Sequence, residues 1–404
     1  LTIKISFVKR AWVKKQKRGE IMEALTPFYE VNEALVAMGA EKLNLCMQCG
    51  MCAGSCPWRI VNGPFNIRRL IRSAQLGVEG GYESDDILYG CTTCNKCVLK
   101  CPRGVTIIDI VRAIRAMIAE TGAIPGVLKT AIGSVHSNGN PWSEPREKRM
   151  AWAEGLDVPK FDESKEYLLF VCCTSCYDKR SQNIAKSMVK ILKKLGVSFG
   201  IIGEEESCCS ESIRKIGDEE LFTNTATKNI ELFKKNGVKK VITTSPHCYY
   251  TFKNEYPELG AEFEPIHYTK FLYDLLESGE LKINKPIQKK ITYHDPCYLG
   301  RHSEIYDEPR KLIEALSDGN LVEMERIRKE SLCCGGGGGR VWMETKPEYR
   351  FSDLRILEAC DTGAQILATA CPYCITMLED SRKTKNKEDV IEVKDISELI
   401  AEAI

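Results

Sequence analysis

The run Cys333-Cys334-Gly335-Gly336-Gly337-Gly338-Gly339, with Cys297 upstream and Cys371-Pro372-Tyr373-Cys374 downstream, decides how the rest of the chain is read. It gathers five thiols, Cys297, Cys333, Cys334, Cys371 and Cys374, where a cubane iron–sulfur cluster takes four. Neighbouring side chains diverge on a strand or a helix, so Cys333 and Cys334 serve one site only from a turn or irregular loop. The glycines supply that freedom. Gly335, Gly336 and Gly337 are expected to close backbone N–H groups around an anionic cluster as a nest.

Working upstream from this stretch reveals a duplication. Cys173 precedes Cys297 by 124 positions, Cys208 and Cys209 precede Cys333 and Cys334 by 125, and Cys248 precedes Cys374 by 126. The text around them agrees: GVKKVITTSPHC (237–248) lies over GAQILATACPYC (363–374). Strand-like runs at 167–171, 198–202 and 241–244 alternate with helix-like ones, among them a face of Ile184, Met188, Ile191, Leu192 and Leu195. Such alternation predicts parallel sheets with the cysteines at strand ends. The first copy departs from the second, because Ser245 stands where Cys371 stands and Ser210 replaces the glycine after the pair. Its four matching thiols, Cys173, Cys208, Cys209 and Cys248, suffice for zinc or a conventional cluster. Cys172 and Cys176 lie near as extra thiols. Spacing leaves open whether Ser245 ligates through oxygen, whether Cys176 substitutes, or whether the site is vestigial.

The N-terminal third carries Cys46, Cys49, Cys52 and Cys56-Pro57, and then Cys91, Cys94, Cys97 and Cys101-Pro102 at the same spacing. In such paired runs the fourth cysteine reaches across to the other cluster. The expected sets are Cys46, Cys49, Cys52 and Cys101 on one cubane, and Cys91, Cys94, Cys97 and Cys56 on the other. Structural zinc sites use two pairs of ligands rather than runs of four. Ile67, Leu70, Ile71 and Leu76 predict helical structure between the runs. Beyond them, glycines and prolines from 122 to 165 predict a connector, interrupted by a short helix near 147–153.

The 404 residues are 43% hydrophobic and 28% charged with a net charge of +1, a soluble globular balance that gives no sign of a nucleic-acid partner. Twenty cysteines in tight clusters within a long chain favour metal in a reducing, cytoplasmic compartment over disulfides. The longest apolar runs are of strand length, so no transmembrane helix is expected. The first 18 residues hold seven Lys or Arg and no acid. They are expected as a solvated helix, or as a docking segment for an anionic membrane surface or acidic partner. Of the histidines flanking motif cysteines, His294 is the first candidate to donate a proton or tune a cluster, with His302 and His247 behind it. Cys360 fits no motif and is expected in the core beside Leu354 and Leu357.

The stretch Cys297…Cys333-Cys334-Gly335…Cys371-x-x-Cys374 resembles the CCG motif of the heterodisulfide reductase B and D subunits. The same motif occurs in glycerol-3-phosphate dehydrogenase C and glycolate oxidase iron–sulfur subunits. Joined to two ferredoxin runs, the order resembles the D subunit, a fusion of C-like and B-like parts. The resemblance implies an α+β multidomain chain: a basic extension (1–40), a helical two-cluster ferredoxin domain (41–121), a linker (122–165), and two tandem α/β CCG domains (166–286, degenerate at Ser245, and 287–404, complete). It implies two cubane 4Fe-4S clusters and a noncubane 4Fe-4S cluster on the five C-terminal thiols. The first CCG domain would hold a second cluster or zinc. No dinucleotide fingerprint accompanies these motifs, so no flavin or nicotinamide site is expected and electrons arrive from another subunit. Candidate partners are a flavoprotein, a hydrogenase or formate dehydrogenase-type subunit, or a cytochrome b-type membrane subunit holding the chain at the inner face of the membrane. Two functions follow from the resemblance: disulfide or thiol reduction at the noncubane cluster, or electron transfer from a flavoprotein dehydrogenase or electron-transfer flavoprotein to a quinone-reducing partner.

Overall fold

The computed structural model describes residues 27–78 and 85–404. The basic stretch at 1–18 lies outside the described residues. The N-terminal part is helical, built on Tyr29–Ala37, Ile67–Leu76 and Ile107–Glu120. Ile67, Leu70, Ile71 and Ala74 fall on one helical face and pack with Leu35, Ile110, Val111 and Ile114 in a single core. The Asn66 side chain caps Ile67–Leu76 by accepting the Arg69 N–H, and Gly77 ends the helix in the left-handed region at φ 61°.

Two parallel sheets follow, as the alternation of patterns requires. In the first, β1 (Tyr167–Phe170), β2 (Phe199–Gly200), β3 (Lys240–Thr243) and β4 (Glu264–His267) run in the order β2-β1-β3-β4. In the second, β5 (Ile291–Tyr293), β6 (Ile366–Thr369) and β7 (Glu392–Asp395) run in the order β5-β6-β7. The counterpart of β2 is reduced there to a bridge between Ile291 and Leu321. The expected amphipathic face packs inward: Ile191 and Leu192 of Gln182–Lys194 share a buried core with Leu399 and Ile400 of Ile396–Ala403. The two sheets are thereby joined through a common core.

The connector is more ordered than its glycines and prolines suggest, because most of them sit at helix ends. Pro125 precedes the helix Gly126–Asn138 and Gly139 closes it at φ 69°. Leu128, Ala131 and Val135 of that helix are buried, and a 3-10 helix follows at Arg146–Ala153. Cys360 lies on Phe351–Asp361 but on its half-exposed side beside Leu357, while Ile356 and Ala359 take the core. The apolar spacing of that helix was ambiguous between two faces.

Candidate metal centres

The two ferredoxin runs fold into the same local shape. Gln48 and Gly50 in the first, and Thr93 and Asn95 in the second, have positive φ of 61°, 86°, 51° and 66°. The left-handed residues coil each Cys-x-x-Cys-x-x-Cys around a hollow. Glycine and asparagine accept that conformation readily; β-branched Thr93 is strained in it. One hollow is lined by Cys46, Cys49, Cys52 and Cys101. A second is lined by Cys56, Cys91, Cys94 and Cys97. The chain thus brings the eight thiols into two sets of four, each with its fourth member from the other run. Neither hollow has a carboxylate or histidine among its described lining residues, while Arg68, Arg103 and Lys96 are present. All-thiol donors with cations around them fit anionic cubane clusters. Cys49 of the first set is exposed, and Met47 and Met51 beside it are 59% and 52% exposed.

In the C-terminal domain, Cys297 follows β5, Cys371 and Cys374 follow β6, and Cys333-Cys334 occupy an irregular loop, as adjacency required. The five thiols form a connected chain. Cys297 hydrogen-bonds with Cys333, Cys333 with Cys334, Cys334 with Cys374 at 3.3 Å, and Cys374 with Cys371. The Gly335 N–H donates to Cys333 Sγ (3.3 Å), and the Gly336 N–H donates to Cys334. Two successive backbone N–H groups thus point at the sulfurs of the cysteine pair. Gly337 has a different reason: a Cβ there would lie 2.3 Å from the Thr92 carbonyl oxygen, and one on Gly338 2.4 Å from that of Cys91. Those residues are glycine because the loop presses on the ferredoxin domain. The same approach brings Cys333 into hydrogen-bond contact with Cys94, and Cys333 Sγ donates to Thr92 Oγ1 at 3.5 Å. Arg301 reaches back with Nε donating to the Cys94 carbonyl and Nη1 to that of Ser331.

A ring nitrogen of His294 and the sulfurs of Cys334 and Cys374 lie within 4.8 Å of one another. Its Nδ1 accepts from Arg355 Nε at 3.1 Å, and Nε2 is buried without a protein partner among the described residues. Burial, reinforced by the Arg355 charge, depresses its pKa to about 3. A neutral ring that accepts at Nδ1 carries its proton on Nε2. That is the geometry of an N–H donor to a sulfur rather than of an acid. His247, a candidate by its place beside Cys248, makes a contact that sequence order did not reveal. It comes from the first repeat, yet it hydrogen-bonds Cys371 of the second. Its Nδ1 pairs with Glu211 Oε2 at 3.1 Å, its ring stacks on Tyr298 at 3.9 Å, and the Tyr298 hydroxyl donates to Glu211 and lies 2.9 Å from Thr93 Oγ1. Burial alone would lower His247, but the Glu211 carboxylate raises it to about 10; Glu211, which burial would raise, is held at about 2 by His247 and Lys215. His302 packs on the other side of Tyr298, its Nε2 2.8 Å from the Thr93 carbonyl.

The first repeat brings Cys173, Cys208, Cys209 and Cys248 together, with Cys173 and Cys208 sulfurs 3.5 Å apart. Cys172 joins them, bonding with both Cys173 and Cys248. Cys176, the substitute that spacing left open, instead donates to the Val171 carbonyl at 3.6 Å. Ser245 is buried at the N-terminus of Pro246–Asn254.

Helical ferredoxin module followed by paired α/β cysteine domains: this architecture defines an iron–sulfur electron-transfer protein. Residues 42–105 match the 4Fe-4S dicluster domain family, and residues 167–253 and 291–379 each match the Cysteine-rich domain family. The chain belongs to the family of heterodisulfide reductase D subunits, being 33% identical, over 92% of its length and 96% of the relative's, to the D subunit of the dihydromethanophenazine:CoB–CoM heterodisulfide reductase of Methanosarcina barkeri (strain Fusaro / DSM 804). It is also 39% identical to the probable iron-sulfur-binding oxidoreductase FadF of Bacillus subtilis (strain 168), over 80% of this chain and 48% of that one. To the EtfAB:quinone oxidoreductase of Syntrophomonas wolfei subsp. wolfei (strain DSM 2245B / Goettingen) it is 36% identical, over 79% and 47%. The chain spans about half the length of these last two relatives. No helix among the described residues is long and apolar enough to cross a membrane.

Proposed function

We propose that the chain carries single electrons between a redox partner at the exposed Cys49 end of the ferredoxin module and the second cysteine-rich domain, where a disulfide is reduced to two thiols. Cys46, Cys49, Cys52 and Cys101 hold one cubane, Cys56, Cys91, Cys94 and Cys97 the other, and Cys297, Cys333, Cys334, Cys371 and Cys374 a noncubane 4Fe-4S cluster. When bound, these groups supply one-electron chemistry at potentials tuned by hydrogen bonds and burial. The observation that supports the reading is the contact of Cys94 with Cys333, thiols proposed here as ligands of neighbouring clusters. Arg301, buried across that junction, fixes the two loops in register. Reduction of a disulfide consumes two electrons and two protons; the electrons come from the partner, here a flavoprotein, a hydrogenase or formate dehydrogenase-type subunit. His294 serves as an N–H donor at the Cys334 end, and His247 orients Cys371.

A second reading is electron transfer from a flavoprotein dehydrogenase or electron-transfer flavoprotein to a quinone-reducing, cytochrome b-type membrane partner, with no disulfide chemistry in this chain. It is favoured by the narrowness of the cavity at Cys334, with about 10 Å³ of free space between Trp58, Arg340, Tyr349, Phe351 and Met377, far below the usual size of a small-molecule site. It also draws on the relative named for electron-transfer flavoprotein and quinone. Anaerobic preparation with the natural partners, followed by low-temperature EPR, separates the two. A new paramagnetic signal when thiol is added to oxidised protein, absent from Cys334→Ala while both cubane signals persist, is the expected result. Reduction by a flavoprotein with no thiol-dependent signal would replace the first reading by the second.

A further inference from the structure

We infer that the face around Cys49 is the docking surface for an acidic one-electron redox protein, whose apolar centre seats on Met47 and Met51 and whose carboxylates pair with Arg68, Arg72 and Arg103. The surface serves either direction of electron flow, and its assignment rests on the reading that a redox partner meets the chain at the Cys49 end. Met47, Met51, Arg68 and Arg103 line the hollow of Cys46, Cys49, Cys52 and Cys101, and all four are exposed. A single exposed apolar side chain is ordinary. Two methionines on either side of an exposed thiol make a soft, adaptable contact, and arginines around an apolar centre are the usual make-up of a protein interface.

The charge on this face is of one sign. Stretches 42–78 and 88–108 hold eight Lys or Arg and no Asp or Glu, in a chain whose net charge is only +1. Lys96 and Lys100 are committed to Glu330. Arg68, Arg72 and Arg103 form no ion pair among the described residues, and Arg72 reaches only the neutral Gln75, at 3.4 Å. The helix Ile67–Leu76 sets them in place. Arg68, Arg72 and Gln75 share one of its faces; Arg68 Nη1 stands 3.4 Å from where a Cβ on Gly50 would lie, and Gln75 donates to the carbonyls of Leu43 and Cys46. Neutralising a cluster does not call for exposed arginines, since Cys91 and Cys94 of the second set have Arg115 and Arg301 beside them, both buried. An exposed guanidinium keeps its fork free for a partner's carboxylates. A second copy of this chain would set the same cations face to face. A lipid surface satisfies the charges but brings no electron carrier to the thiol at their centre.

Each transfer moves one electron between the partner's redox centre and the cubane on these thiols, and no bond in the chain forms or breaks. Stopped-flow reduction of the anaerobic holoprotein by reduced flavodoxin, a small acidic protein, tests the surface; oxidation of the reduced holoprotein by cytochrome c, a basic one, gives the opposite sign. The flavodoxin rate constant is expected to fall about tenfold between about 0.05 and 0.5 M salt, and that of cytochrome c to rise. Arg72→Glu, outside the hollow, should slow flavodoxin about fivefold at low salt with both cubane EPR signals kept, and Met47→Ala should slow it at every salt concentration. A flavodoxin rate that ignores salt and Arg72→Glu but responds to Met47→Ala overturns the acidic partner and leaves the Cys49 end standing. One that responds to none of the three, or that falls with salt equally in wild type and both variants, overturns the surface and the Cys49 end together. Failure of flavodoxin to reduce clusters that dithionite reduces also overturns the acidic partner. So does flotation of wild type, but not Arg72→Glu, with phosphatidylglycerol vesicles when flavodoxin rates for the two are equal. The thiol-dependent EPR signal tests the disulfide end of the chain independently of these rates.

Discussion

Arg115 offers the sharpest test of how the domains are held together. The side chain is fully buried and donates to the carbonyls of Leu88 and Cys91 in the ferredoxin domain, Lys215 in the first cysteine-rich domain and Gly338 in the second, at 2.9 to 3.2 Å. Arg115→Leu leaves four carbonyls without this donor in a dry interface. An unsatisfied buried acceptor costs about 1–3 kcal/mol, so even the low end is about 4 kcal/mol. Unfolding entropy for a chain of this length is about 0.8 kcal/mol/K, and the melting midpoint should fall by about 5 °C if the domains unfold as one unit. The guanidinium also stands beside Cys91. Removing a positive charge there favours the oxidised cluster, so the potential of the cubane on Cys56, Cys91, Cys94 and Cys97 should move down. Arg115→Lys separates the effects, because lysine keeps the charge but not the planar fork that spans four acceptors. Thermal scans of the holoprotein followed by cluster absorbance, with EPR-monitored redox titration, make the measurement. A midpoint for Arg115→Leu within about 1 °C of wild type would refute this account, since the cost of a single stranded carbonyl already exceeds that shift.

The His247–Glu211 pair is buried, so removing one partner strands the other. His247→Phe, which keeps a ring against Tyr298, should destabilise by roughly 3 kcal/mol, and Glu211→Gln in the same chain should recover most of it; additive losses in a double-mutant cycle of thermal midpoints would exclude the pairing. Asp395 predicts a pH dependence. Burial pushes its carboxyl up to about 7, and its hydrogen bonds from Tyr268 and Ser397 converge on Oδ1 while Oδ2 has no partner among the described residues. The folded chain therefore keeps a proton that the unfolded chain, with an aspartate pKa of about 3.9, releases. Between about pH 4 and 7 the unfolded state binds fewer protons, so this group's contribution to stability falls as pH rises through that window and is flat above it. The stability of wild type relative to Asp395→Asn should decline across the window by an order of 4 kcal/mol, read from paired thermal scans; parallel pH profiles for the two proteins would contradict it.

What could be read in the sequence was whatever is encoded at short range. Cys-x-x-Cys-x-x-Cys runs coil locally, so the first three thiols of each set and the irregular loop at Cys333-Cys334 needed no knowledge of packing, while the crossing of the fourth thiol to the other run follows from the paired-run pattern. Amphipathic faces such as Ile184 to Leu192 and the parallel sheets were legible for the same reason. Roles that depend on domain against domain were not. Gly337 reads as a nest residue until the Thr92 carbonyl is found against its Cα. His294 reads equally as a proton donor or as a group that tunes a cluster, and only the position of Arg355 at its Nδ1 bears on the choice. Cys172 carried a faint signal, since Cys172-Cys173 repeats the adjacency of Cys208-Cys209, but a β1 corner was needed to show that both thiols turn one way.

The repeat itself explains why two unlike domains remain paired. His247 and Tyr373 occupy the same position in the two copies, one before Cys248 and the other before Cys374. Their rings meet at 4.9 Å. Each then reaches toward the other copy's thiols: His247 hydrogen-bonds Cys371, while Tyr373 lies against the charge of Cys173 and Cys208 and its hydroxyl is 3.2 Å from Ser212 Oγ. One position, duplicated, supplies each site with a polar group from its neighbour. The histidine pairs with the buried Glu211 carboxylate directly, whereas the tyrosine reaches the same carboxylate through Ser212, whose hydroxyl donates to Glu211 Oε2 at 2.9 Å. The exchange makes each centre depend on the other domain's fold, which accounts for retention of the first domain's buried architecture even though Ser245 has replaced a thiol at the position of Cys371.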